Sequence, residues 1–202
     1  SIRNLSIKKT SLNNIYGYGI RVFKNGAWGF AHNNIFSEDA IRDTVKKALI
    51  IAEESNRVKI GKGLTLAYER GYIDSYQTDF NKDPFDVPIS EKVNLMMETN
   101  KTMLNYGEIK RANFTLESRK DEKKFASTLG SDLDICTLYI EPTMTATAVA
   151  NNDSQSRTFS NGGQAKGWEW IENLDLTEKA EKIAEEAIMK VHAKSLSTEE
   201  RR

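Results

Sequence analysis

Two short runs in which apolar and polar residues alternate, Gly17 to Lys24 and Ala27 to Phe30, meet at the dipeptide Asn25-Gly26. A tight type I′ turn needs φ > 0 at both central positions, and asparagine followed by glycine tolerates this best, so the pair predicts a β-hairpin. Residues 2 to 9 alternate more loosely, with Ile2, Leu5 and Ile7 as inward positions. They are expected to pair with strands at about 15–24 and 27–32 in a small antiparallel sheet.

Ser37 offers a side-chain oxygen to the free N–H groups of a helix in which Ile41, Val45, Ala48, Leu49 and Ala52 recur at helical spacing. That helix is predicted over about 37–54. From Asn56 to Val87 the pattern weakens, with glycines at 61 and 63, a strand expected from Leu64 to Tyr68, and Pro84 and Pro88 closing a polar loop. Ser90 is read as the cap of a second helix over about 90–105, whose face is Val93, Met96, Met97, Asn100, Met103 and Leu104 and whose stop is Gly107.

The second half changes character. Strands are expected at about 109–118, 122–129, 133–141, 143–150 and 156–161, with breaks at Lys120-Asp121, Gly130-Ser131 and Asn151-Asn152-Asp153. A last helix over about 176–194 starts at Asp175, with Glu178 as capping-box partner and Ala180, Ile183, Ala184, Ala187, Ile188 and Val191 as its buried stripe. Antiparallel sheets with three main helices make an α+β fold, with 1–87 and 88–202 as expected subdomains.

Composition removes several classes of function. The 202 residues carry 29 basic and 29 acidic side chains, so no global field draws the chain to nucleic acid or to an anionic membrane. Apolar runs fall far short of the ~20 residues that a spanning helix needs. The single cysteine, Cys136, sits in a strand-like run and reads as a small buried thiol, which excludes a disulfide scaffold within one chain. The sequence starts at Ser1 without a signal-peptide pattern and ends on the charged run 199–202, as a piece of something longer would. A cytoplasmic location is the expectation, although an upstream signal removed in processing would leave no trace.

A zinc hydrolase needs about three protein ligands around an open position. His32 and His192 are the only histidines and neither has a histidine partner at helical spacing, so no metal site or cofactor is expected in this chain. Cys136 has no base near it in sequence, and no serine occupies a G-x-S-x-G elbow. Asp79 to Asp83 imitates the start of a calcium loop, but Pro84 and Ser90 stand where glycine and glutamate are required. Asn161-Gly162-Gly163 lacks both the lysine-serine ending of a P-loop and the spacing of a dinucleotide fingerprint. What remains is a set suited to a peptide-binding wall or a subunit interface: Arg157, the pair Gly162 and Gly163, and the aromatics Trp168 and Trp170, which share a side if the segment is extended. The alternative for both tryptophans is a place in the core. Trp28, next to the hairpin turn, is read as packing on its neighbouring strand.

Several of these motifs together carry a resemblance. Gly19-Ile20-Arg21-Val22 followed by Gly26-Ala27-Trp28-Gly29-Phe30-Ala31, and later Arg157 with Gly162-Gly163 and Gly167-Trp168-Glu169, resemble the N-terminal domain of the TldD/PmbA proteins, the TldD branch more than the PmbA branch. This is the zinc metallopeptidase family once called modulators of DNA gyrase. Phe125 to Gly130 is similar to a strand that commonly carries an acid where Leu129 stands. The resemblance implies a C-terminal catalytic domain with an HExxxH helix and a later cysteine binding zinc, and no HExxxH occurs in this sequence. It therefore implies that residues 1–202 are a non-catalytic N-terminal domain that walls the substrate cleft, binds peptide or unfolded protein by main-chain pairing, and holds a partner in a homodimer or a TldD/PmbA pair. A stand-alone peptide-binding or assembly module, and more distantly a gyrase-associated DNA factor, are the alternatives.

Overall fold

The computed structural model describes residues 1–58, 61 and 63–194. Along the chain come strands β1 (Ile2–Arg3), β2 (Ser6–Ile7), β3 (Tyr18–Lys24) and β4 (Ala27–Asn33), helix α1 (Glu38–Arg57), strand β5 (Ile73–Gln77) and helix α2 (Ile89–Leu104). There follow β6 (Ile109–Ala126), β7 (Asp132–Ala150), β8 (Asp153–Phe159), α3 (Trp168–Asn173) and α4 (Leu176–Val191). The fold is α+β, as expected. Two compact units divide it: residues 11–69, and residues 1–10 with 70–202, so that the 70–87 segment belongs with the larger unit.

In the unit of residues 11–69, β3 and β4 form the expected hairpin, with Asn25 at φ 51° and Gly26 at φ 76°. Ser37 caps α1 through its hydroxyl, which accepts from the Ala40 N–H at 3.2 Å. The helix lays Thr44, Ala48 and Ala52 on one face of the hairpin, and this close approach depends on Gly29, since a Cβ there would run into the Ala48 carbonyl and the Ala52 N–H. Leu64 to Tyr68 form no strand, although the Leu64 N–H donates to the Gly26 carbonyl at 3.2 Å.

In the larger unit the sheet order is β2-β1-β6-β7-β5, with β8 also on β7; every pair is antiparallel except β5 with β7. Residues 2–9 do not join the hairpin: β1 pairs with β2 and with β6, more than a hundred residues on. Two contacts explain the choice. Ile2 is buried with Phe114 in the core, and the Asn4 carboxamide donates to Lys110 O and accepts from Ala112 N, closing the backbone where the β6 register slips at residue 110.

The breaks expected at Lys120-Asp121 and near residue 142 are absent, because β6 and β7 run unbroken for 18 and 19 residues. Charged side chains there stand on the exposed distal half of a ladder and do not interrupt its hydrogen bonds. Helix α2 starts one residue before Ser90, after Pro88 and without a side-chain cap, and α4 ends at Val191, short of residue 194. The charged run 199–202 lies outside the described residues.

Phe114, Ile140, Met144, Ala146 and Ala148 from the sheet meet Met96 and Met103 of α2 and Ala180, Ile183, Ala184 and Ala187 of α4 in one core. Each large side chain so buried contributes about 1.5–3 kcal/mol. The tryptophan segment is helical, and Trp168 is 1% exposed within this core.

Candidate functional site

The outer edge of β7 shows first what the larger unit offers a ligand. β5 covers residues 132–136, the Thr78 N–H donates to Cys136 O at 3.0 Å, and the Thr78 hydroxyl accepts from Leu138 N at 3.0 Å. Ile140 exchanges both backbone hydrogen bonds with Gln164 at 3.0 and 2.9 Å, Pro142 has no N–H, and β8 takes over from Met144. No stretch of that edge is open to an incoming strand.

Gln164 is held there by the double glycine. Gly162 and Gly163 both have positive φ, 73° and 67°, and a Cβ on Gly163 would fall inside the Tyr139 ring. The Tyr139 hydroxyl lies 2.9 Å from both Gly162 O and Glu141 Oε2, while Ser160 Oγ donates to Glu141 Oε1 at 2.9 Å. Hydrogen bonding to Glu141, then burial, raises the Tyr139 pKa. The phenol thus stays protonated as a donor and pins the loop.

Trp168 and Trp170 do not line a wall together with Arg157. Trp168 is core, its backbone N–H donating to Lys82 O at 2.7 Å, and Lys92 Nζ lies 6.0 Å from its ring centroid. Trp170 is half-buried against the same core. Arg157 is exposed on β8, its Nε 3.6 Å from Glu186 Oε2 of α4. Glu169 ties the neighbouring loops: its carboxylate accepts from Lys82 N at 3.0 Å and Gly167 N at 3.2 Å. Burial works to raise its pKa, but the backbone N–H groups of Glu169, Lys82, Asn81 and Gly167 outweigh it and hold the carboxyl below the usual range.

No group of three or more His, Cys, Asp or Glu side chains among the described residues is placed to hold a metal. His192 Nε2 pairs with Glu108 Oε2 at 2.7 Å, and His32 stands exposed 6.1 Å from the Phe30 ring. These residues do not fit a zinc centre.

The hairpin holds a face that sequence reasoning did not single out as a site. The register pairs Phe23 with Trp28, Arg21 with Phe30 and Gly19 with His32, all on the side away from α1. Trp28 is 41% and Phe30 52% exposed. The Trp28 ring does pack on Phe23, with centroids 4.9 Å apart, and the Arg21 guanidinium lies 5.8 Å from the Trp28 centroid. A notch of about 450 Å³ opens among Arg21, Trp28, Gly29, Phe30 and Ile51. The register could have been read from Asn25-Gly26, since counting outward from the turn puts Arg21 opposite Phe30.

Comparison with known proteins assigns the family. Residues 1–52 match the PmbA/TldA metallopeptidase domain 1 and residues 82–193 match the PmbA/TldA metallopeptidase central domain. The chain belongs to the PmbA/TldD metallopeptidase family. A curated relative, the metalloprotease MJ0996 of Methanocaldococcus jannaschii, is 34% identical over 87 residues, which are 43% of this chain and 19% of that protein. A solved Thermotoga maritima protein, described as a candidate modulator of a DNA gyrase, superposes with a TM-score of 0.78 at 15% identity, over 97% of this chain and 42% of that one. A similarly described Bacteroides thetaiotaomicron protein gives 0.66 at 13% identity, over 90% and 41%. TldE of Thermococcus kodakarensis gives 0.52 at 11%, over 85% and 36%. At such identities the structures show the fold alone, and this PmbA/TldD chain spans about two-fifths of their length.

Proposed function

We propose that residues 1–202 form the non-catalytic, substrate-side part of a PmbA/TldD metallopeptidase, shaping the cleft that receives an extended peptide and contributing subunit contacts in a homodimer or a TldD/PmbA-type pair. The observation that carries this reading is the match to domain 1 and the central domain of that family. The donor set agrees with it, since the described residues offer two separate histidines and no ligand cluster. Zinc chemistry, with its activated water, then belongs to residues outside this chain. The balanced charge favours peptide over nucleic acid as the substrate. No described helix is long and apolar enough to cross a membrane.

The test compares the 202-residue chain with the intact protein. Peptide hydrolysis that depends on zinc is expected of the intact protein alone, and calorimetry on the chain should show no stoichiometric, high-affinity zinc. Tight zinc at His32 or His192 would overturn the proposal. A native protein without an HExxxH helix would turn it towards a stand-alone binding module.

A further inference from the structure

A two-residue type I′ turn closes on a hydrogen-bonded pair, here Lys24 with Ala27. Hydrogen-bonded and non-hydrogen-bonded pairs then alternate, so Phe23–Trp28 and Arg21–Phe30 are non-hydrogen-bonded, and the N–H and C=O groups of Trp28 and Phe30 point outward from β4. Among the described residues no backbone group pairs with them. Open among the described residues, this edge differs from the outer edge of β7, which β5, Thr78, Gln164 and β8 close, and from the outer edge of β6. The latter carries Arg119, Lys120, Lys123 and Lys124, the charges that natural sheets use to repel further strands.

The side chains around the β4 edge are of the opposite kind. Arg21, Trp28 and Phe30 are of the types that dominate binding hot spots, and they are exposed together. Arg21, like Arg3, Arg70 and Arg111, has no carboxylate partner among the described residues, but it alone of these stands beside an exposed tryptophan on a strand edge. A guanidinium beside an indole face is weakly hydrated and pre-oriented, so a carboxylate that reaches it gains a charge-assisted hydrogen bond.

We infer that β4 takes up an extended peptide as a third strand of the hairpin, and that the segment it selects carries a carboxylate next to an aliphatic residue. Peptide residues opposite Trp28 and Phe30 fall on the outer face, where an Asp or Glu side chain meets Arg21. The residue between them, opposite Gly29, falls on the other face, where Ile51 lines the notch. This rests on the peptide-binding reading above and names the edge and the charge that would carry it.

The experiment titrates the 202-residue chain with an acetylated, amidated heptapeptide alternating valine and glutamate, and with the same peptide carrying glutamine, each bearing a terminal benzophenone for photo-crosslinking. The glutamate peptide should bind about tenfold tighter, about 1.4 kcal/mol. Added salt should reduce the preference, Arg21→Gln should abolish it, and crosslinks should fall on residues 27–33. Arg21 is exposed, so the variant keeps the fold, and crosslinking tests the site without any variant. Crosslinks elsewhere, or a preference that survives Arg21→Gln, would overturn the inference and leave peptide binding standing. Failure of both peptides to bind at millimolar concentration would overturn both.

Discussion

The ring of Tyr139 occupies the space that a side chain on Gly163 would need, and its hydroxyl reaches back to the carbonyl of Gly162. Two positions in one dipeptide thus have different reasons to be glycine. Gly162 has positive φ and open space around it, whereas Gly163 has positive φ and an aromatic ring against it. Gly162→Ala should cost about 1 kcal/mol for backbone strain, and Gly163→Ala about 2–3 kcal/mol, because Tyr139 must also move. Urea denaturation of the two variants checks the order. Combining Gly163→Ala with Tyr139→Ala should recover part of the loss, and strict additivity would show that the ring is not the obstacle.

Neither the ring nor the glycine pair announces the other in the sequence, since 24 positions separate Tyr139 from Gly163. Local chemistry was legible: Asn25-Gly26 demanded a turn, and Ser37 with the spacing of Ala48 and Ala52 demanded a capped helix. What escaped was decided at a distance. β1 is too short to reveal its partner, and its place depends on Ile2 and Asn4 meeting β6. β5 is exposed throughout and so lacks the alternation that burial imposes. Trp168-Glu169-Trp170 reads equally as strand or helix, until the Lys82 backbone and the core fix it as helix. The same rule governs the candidate residues. Gly162 and Gly163 were visible as unusual backbone, while the exposure of Trp28 and Phe30 needed the register and the helix on the opposite face.

Glu169 should make stability depend on pH in a defined direction. Its folded pKa lies below the ordinary 4.5, so the unfolded chain binds the proton more readily. The resulting stabilisation is complete above the unfolded value and is lost as pH falls through the lower, folded value. Asp83 adds to the same trend: burial opposes its ionisation, but Lys120 and the Phe85 N–H more than offset it. Denaturation midpoints of the parent chain should therefore drop as the pH falls below about 5, and Glu169→Gln should flatten part of that drop. An unchanged slope in the variant would show that the carboxylate is not held as described.

Gly29 tests the packing beneath the proposed peptide edge. A methyl group there meets backbone atoms of Ala48 and Ala52, which cannot swing aside as a side chain can. Gly29→Ala should push α1 off the hairpin at a cost of about 3 kcal/mol, at the upper end for overpacking. Hydrogen exchange should quicken at amides of residues 18–57 and stay unchanged in β6 and β7, which lie in the other compact unit. A uniform change across both units would show that they unfold together.

Asn100 gives the opposite sign. It lies on α2 with no exposed surface, and neither its Oδ1 nor its Nδ2 has a hydrogen-bond partner in the structure. Burying an amide without partners costs about 1–3 kcal/mol, and the buried face of α2 that carries Asn100 also carries Met96 and Met103 of the apolar core. A leucine, branched at Cγ as asparagine is but larger, removes that penalty and adds apolar contacts with the methionines of the same core. Asn100→Leu should therefore stabilise the chain by about 1 kcal/mol or more, whereas Asn100→Ala should gain less because it leaves a cavity. If Asn100→Leu and Asn100→Ala both lose stability, the amide has a partner in solution, such as an ordered water, whereas a loss in the leucine variant alone would mark overpacking. The ranking of leucine above alanine above asparagine separates the two accounts, because a bridged amide would put asparagine first.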